Sequence, residues 1–302
     1  FSDEAMEEQF EAWADSPNGE GEHGFGYKLP DRFKIEWLKI PTDSITEASR
    51  KSVEFSSREQ RKFWRRNESN PNFPSIDSTE TIPTEVADAY LEQLTAIKRS
   101  AISRSTSEQL RNPRRGLNEL NGYVLLPEDW EQSKLNLEQL AISIQNEFDI
   151  TLPEYGANAT WVSTADAGTI PIIGSMQVVN QGGIPVNLQS LVSSAKEFGS
   201  EGVYRIQQGV SSSMYETADG DLVVFRLTDT DPTRRPHSVN EVKDAVSYDL
   251  GRIARWEALQ AETDLIEQLA REDGLLAASI KYNTAVNQAR SVSMVDTGVP
   301  AI

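Results

Sequence analysis

The chain has 302 residues and a mass of 33.6 kDa, with 38% hydrophobic and 25% charged side chains, a composition that builds a packed core and excludes a disordered chain or a membrane span. Twenty-nine Lys plus Arg against 47 Asp plus Glu leave a net charge of −18, which disfavours a phosphate backbone or anionic lipid as the main partner and so argues against nucleic acid. There is no Cys, and His23 and His237 are the only histidines, so disulfides, thiolate nucleophiles, sulfur-ligated zinc and any multi-histidine metal centre within one protomer are excluded.

Length sets an expectation of about two domains. A Cys-free chain suits an envelope compartment, where stray thiols would be oxidised. The first residue is Phe1 rather than Met, and no apolar stretch reaches the roughly 20 residues of a membrane helix. The chain therefore reads as an excised or processed piece, with any signal peptide or membrane anchor upstream of it.

In chain order, residues 3 to 14 carry Met6, Phe10 and Trp13 on one helical face with acids in the first turn, which predicts a short amphipathic helix. Gly, Pro and Asn punctuate 16 to 26, and Phe33 to Ile40 reads as a half-buried strand closed by Pro41, although its alternation is imperfect. Helical spacing covers about 43 to 67 and 84 to 111, the second with a stripe of Val86, Tyr90, Leu94, Ile97 and Ala101. A proline-rich connector between them makes this a helical hairpin or arm. The arm concentrates the basic residues, among them Arg50, Lys51, Arg58, Arg61, Lys62, Arg65, Arg66, Arg99, Arg104 and Arg111; the plain reading is a solvated face paired with acids elsewhere in the chain, the alternative a docking face for an acidic partner.

Residues 129 to 148 predict a third helix begun near Pro127. Residues 151 to 184 read as loops with short strands at 159–163 and 170–179, then a short helix over 187–198 ended by Gly199 and a short strand at 203–206. Ser211 to Thr217, a turn through Asp219-Gly220, and Asp221 to Leu227 form the strongest hairpin in the sequence. Ser238-Val239-Asn240-Glu241 then has the form of a capping box opening a helix that runs beyond thirty residues to Gly274.

The hairpin followed by the long capped helix resembles the tail of parvulin-type (PpiC-like) peptidyl-prolyl isomerases of the periplasmic foldase group, the SurA-like and PpiD-like proteins. Working backwards, 31–40 resembles the first parvulin strand and 129–148 a domain helix, with 43–126 as an insertion that departs from the family. The resemblance is carried by 203–275, is thin over 1–42 and 127–202, and is absent over the arm. It implies an α+β fold: a small antiparallel sheet with helices, in which 31–40 lies beside 221–227, a helical insertion arm and a long C-terminal helix. The implied division is an N-terminal helical segment (1–30), a parvulin-like domain (31–42 with 127–232), the insertion (43–126) and C-terminal chaperone-type helices (238–292).

Active members place one histidine on the first strand and another just after the glycine of the last hairpin. Here those positions look like Glu36 and Leu222, and the family's Gly-Gly loop has its nearest counterpart in Gly182-Gly183. Isomerisation crosses a barrier of about 18–20 kcal/mol, lowered by a site that favours the twisted amide. With both ring histidines missing, the expectation is a degenerate, non-catalytic domain that binds unfolded or extended polypeptide outside the cytoplasm, without cofactor or metal. An active isomerase with atypical site residues stays open, because histidine is not indispensable to a bond rotation, as does an assembly subunit using the basic arm. Trp37, Met214, Tyr215 and Phe225 are the candidate client-groove residues, with core packing as the plain alternative. His23 and His237 read as exposed loop residues, and Trp13, Trp64, Trp130 and Trp256 as core or inter-helix contacts.

Overall fold

The computed structural model describes residues 1–74, 81–179, 184–199 and 204–284. Its elements in chain order are α1 (Asp3–Trp13), β1 (Arg32–Ile40), α2 (Thr42–Lys51), α3 (Ser57–Arg66), α4 (Thr84–Arg111), the paired β2 (Glu119–Leu120) and β3 (Tyr123–Val124), α5 (Trp130–Ser133) and α6 (Leu137–Phe148). There follow β4 (Glu154–Ser163), the paired β5 (Gln177–Val179) and β6 (Pro185–Asn187), α7 (Leu188–Val192), β7 (Tyr215–Glu216), β8 (Leu222–Asp231), α8 (Lys243–Ala261), α9 (Thr263–Glu272) and α10 (Leu275–Lys281). The protein is α+β, and it divides into two units: residues 31–232, and the two chain ends, 1–30 with 233–302. The N-terminal segment and the C-terminal helices, expected as separate regions, thus belong to one unit.

The unit 31–232 is built on an antiparallel sheet of order β4-β1-β8-β7, which puts the first strand directly beside the last. Three pairs of opposite charge sit directly across from each other on β1 and β8: Arg32 with Asp231, Lys34 with Asp229, and Glu36 with Arg226. A register slip would place every one of them against the wrong neighbour, so the pairs specify the alignment. At the hairpin corner, Gly220 takes a left-handed φ of 82° and its carbonyl accepts from Thr42 Oγ1 at 2.5 Å.

Both faces of this sheet are covered, which explains why β1 shows no clean alternation in sequence: Ile35, Glu36, Trp37 and Leu38 are all buried. One face carries Phe33, Ile35, Trp37, Val223, Phe225 and Leu227 against Ile170, Ile173, Met176, Val178, Leu188 and Leu191. The other carries Leu38, Ile40, Leu222 and Val224 against Ile45, Ile102, Leu110, Leu137, Leu140 and Ile144. Segment 43–126, expected as an insertion arm, is therefore not detached: α2 and α4 supply Ile45, Ile102 and Leu110 to the second core.

Several expected helices are broken where side-chain demands change. The stretch 43–67 divides into α2 and α3 around a 3-10 turn at Val53–Phe55, and α3 is tied to α4 by Phe55, Phe63 and Tyr90, with ring centroids 5.0–6.3 Å apart. On α4 the predicted stripe drifts: Val86 and Leu94 are buried, but Ile97 is 57% exposed and the buried set continues through Leu91, Ile102 and Leu110. The 129–148 helix splits into α5 and α6, with Asn136 capping α6 through Gln139 N at 2.9 Å. Residues 187–198 give α7 and a separate 3-10 turn ended by Gly199, and 204–206 forms no strand beyond an isolated bridge at Ile206. Val203 lies outside the described residues.

In the chain-end unit, Met6, Phe10 and Ala14 pack with Tyr27 and Val246. The capping box does not form. Glu241 instead takes Arg234 at 2.9 Å and accepts from His237 N at 3.3 Å, residues 239–241 make a 3-10 turn, and α8 begins at Lys243.

Candidate functional site

Glu36 and Arg226 are directly opposed on the two central strands, and the helix-covered face of the sheet buries them both. Arg226 Nε and Nη2 approach Glu36 Oε1 at 2.6 and 2.5 Å, while Nη1 donates to the Leu135 carbonyl at 2.9 Å. Tyr155 donates its hydroxyl to Glu36 Oε2 at 3.2 Å. Burial and the adjacent Glu36 carboxylate push that hydroxyl above the usual tyrosine range. The carboxylate at the position expected for the first family histidine is thus held by cross-strand and inter-layer bonds.

Leu222, at the second such position, opposes Ile40 and is 2% exposed in the same helix-side core. It sits four residues along β8 from Arg226, a separation of about 13 Å at strand rise. The two positions share a face but enclose no common site, and both imidazoles of the protein lie outside residues 31–232.

The candidate groove residues separate. Trp37 and Phe225 lie on the opposite face, opposed in register and 4% and 0% exposed, and Tyr215 stacks on Phe225 at 6.1 Å. Met214 packs instead on the side of Leu222. Sequence periodicity identified these side chains as apolar strand residues but could not tell an open groove from a second packed layer, here furnished by 167–178 and 186–192. Trp130 is also core, its indole donating to the Gly209 carbonyl at 2.8 Å, whereas Trp64 is half-buried and donates to Pro74 at 3.0 Å. Gly182-Gly183 lies outside the described residues.

Burial pushes the Tyr215 hydroxyl up to about 12, and it does the same to Tyr27, which donates to Asp249 at 3.1 Å and accepts from Gln9 at 3.0 Å. The unfolded chain releases these protons near 10, before the folded protein does. Their contribution is therefore complete below pH 10 and is lost as pH rises to about 12. We expect unfolding free energy to fall across that window, and Tyr215→Phe to flatten the decline, as read from urea unfolding at each pH.

Among the open clefts of the described residues, two bear on binding. In the unit 31–232, a cleft of about 370 Å³ runs between α4 and the β7–β8 hairpin, lined by Arg99, Ser100, Ser103, Arg104 and Ser107 on one side and Met214, Glu216 and Leu222 on the other. In the chain-end unit, a cleft of about 260 Å³ is lined by His23, Phe25, Arg252, Ile253 and Trp256. Here Arg252 lies 5.5 Å over the Phe25 ring, is anchored to Asp249 at 3.1 Å and donates to the His23 carbonyl at 3.1 Å. Trp256, expected to be a helix contact, is 46% exposed at this cleft, and Leu259 one turn on is 45% exposed. Their i and i+3 spacing was visible in the sequence, but nothing there showed that the half of α8 beyond Leu250 is left uncovered by the described residues.

Among the described residues no group of His, Cys, Asp and Glu is placed to hold a metal ion, and no helix is long and apolar enough to cross a membrane. Comparison with family models, curated proteins and solved structures returns no match to this chain.

Proposed function

We propose that this protein is a non-catalytic, parvulin-like chaperone or foldase module that binds unfolded or extended polypeptide outside the cytoplasm. The observation that carries the reading is the condition of the two positions where the family's histidines belong. They lie on neighbouring strands of the expected sheet, yet one holds a carboxylate consumed by Arg226 and the other a buried Leu222. A prolyl peptide would find there neither a ring of polar groups nor room. Binding capacity lies elsewhere, in the exposed Trp256 and Leu259 beside the apolar cleft of the chain-end unit. A large, half-exposed indole next to a concave apolar surface is the kind of anchor that dominates polypeptide binding.

The test uses the full chain in two assays. Cis–trans interconversion of a prolyl peptide is expected to proceed at the uncatalysed rate, while aggregation of a chemically unfolded client is suppressed. Trp256→Ser is expected to weaken client binding by about thirtyfold, the effect of losing one hot-spot side chain. Isomerase turnover that disappears in folded variants of Glu36 or Leu222 would overturn the reading in favour of an active isomerase.

A further inference from the structure

The cleft beside α4 has a chemical asymmetry that an apolar client groove does not require. Residues 99, 103 and 107 form one ridge of α4 and 100 and 104 the next, so Arg99, Arg104 and three serines line a single helical face. Arg99 is the fixed member: it pairs with Glu216 at 3.1 Å and donates to Thr42 Oγ1 at 3.1 Å, while its Nε is buried without a hydrogen-bond partner. Arg104 is exposed, and among the described residues neither it nor the hydroxyls of Ser100, Ser103 and Ser107 have a partner. Across the cleft stand the half-buried Met214 and the edge of Leu222. One wall therefore offers unused donors and a free guanidinium, the other aliphatic surface.

In a protein of net charge −18, this is a locally positive recess. Glu216 and the overall acidity turn away a polyanion such as nucleic acid. A single carboxylate carried next to an aliphatic side chain meets both walls: the carboxylate takes the planar fork of Arg104 and the serine hydroxyls, and the aliphatic group lies on the adaptable Met214. We infer that the cleft between α4 and the β7–β8 hairpin is an acid-selective subsite, taking a polypeptide segment in which Asp or Glu neighbours an aliphatic residue. This rests on the polypeptide-binding reading above and assigns part of its specificity.

The probes are two labelled extended peptides of equal length, one alternating Leu and Glu, the other Leu and Gln, titrated against the full chain by fluorescence anisotropy at low and high salt. The Glu peptide is expected to bind about tenfold tighter or more, the worth of hydrogen bonds to a charged group, with the preference shrinking in salt. Arg104→Gln is expected to remove most of the preference and Arg104→Glu to reverse it, with Gln-peptide affinity and the urea midpoint unchanged. Equal affinity for both peptides, or a preference indifferent to Arg104→Glu, overturns the subsite while leaving the polypeptide-binding reading intact. Failure of both peptides to bind overturns both readings.

Discussion

Replacing Glu36 by Ala is expected to cost about 3–5 kcal/mol of folding free energy, the penalty of leaving a buried charge uncompensated. The Arg226 side chain is 3% exposed, and without Glu36 it keeps only its bond to the Leu135 carbonyl. Tyr155 loses the acceptor of its hydroxyl as well. The double substitution Glu36→Leu with Arg226→Met keeps the volume and removes both charges, so it is expected to stand close to wild type. Urea unfolding of the two variants measures the difference directly. A Glu36→Ala cost within about 1 kcal/mol, the range of exposed ion pairs, would mean that the guanidinium reaches water and the pair is not a structural lock. The size of the effect bears on function, because a carboxylate so tightly held is not available to a bound prolyl peptide.

The adjacency of the two strands was expected from the resemblance, and β1 does pair with β8, but the register that sets Glu36 against Arg226 was not legible in the sequence. Each strand announces itself locally, β1 by its β-formers ahead of Pro41 and β8 by the Asp-Gly corner before it. Glu36 and Arg226 are 190 residues apart, and nothing local couples them. The same reason hid the joining of the two chain ends into one unit. Face assignment failed for a different cause: a strand buried on both sides loses its alternation, so Trp37 and Phe225 read equally well as groove or core. Helix boundaries were lost where side chains compete for backbone or charge, as when Arg234 and His237 claim Glu241 and spoil the capping box at Ser238. The clefts were invisible because exposure depends on what fails to pack, and the sequence of α8 is as apolar around Trp256 as around the buried Val246.

Trp37 gives the sharpest separation of packing from client contact. Its indole is 4% exposed, lies against Gly156 so closely that a Cβ there would come within 2.4 Å of the ring, and keeps its Nε1 buried without a hydrogen-bond partner. Trp37→Ala opens a cavity between Ile35, Phe225 and the layer of 167–178 and 186–192 and is expected to cost about 3–5 kcal/mol. Trp37→Phe removes some volume but also the orphaned donor, two effects of opposite sign. It is expected to fall within about 1.5 kcal/mol of wild type, as near-volume hydrophobic exchanges do. A groove residue would behave in the reverse way: truncation would leave unfolding unchanged and weaken client binding, and the exchange for Phe would matter through the lost indole surface. Urea unfolding and client anisotropy on the same two variants distinguish the cases. If Trp37→Ala keeps full stability while client affinity collapses, the sheet face that carries Trp37 is the groove and the clefts beside Trp256 and Arg104 are secondary. A large stability loss, with client affinity retained in Trp37→Phe, places binding at the clefts and leaves Trp37 to the packing of the sheet.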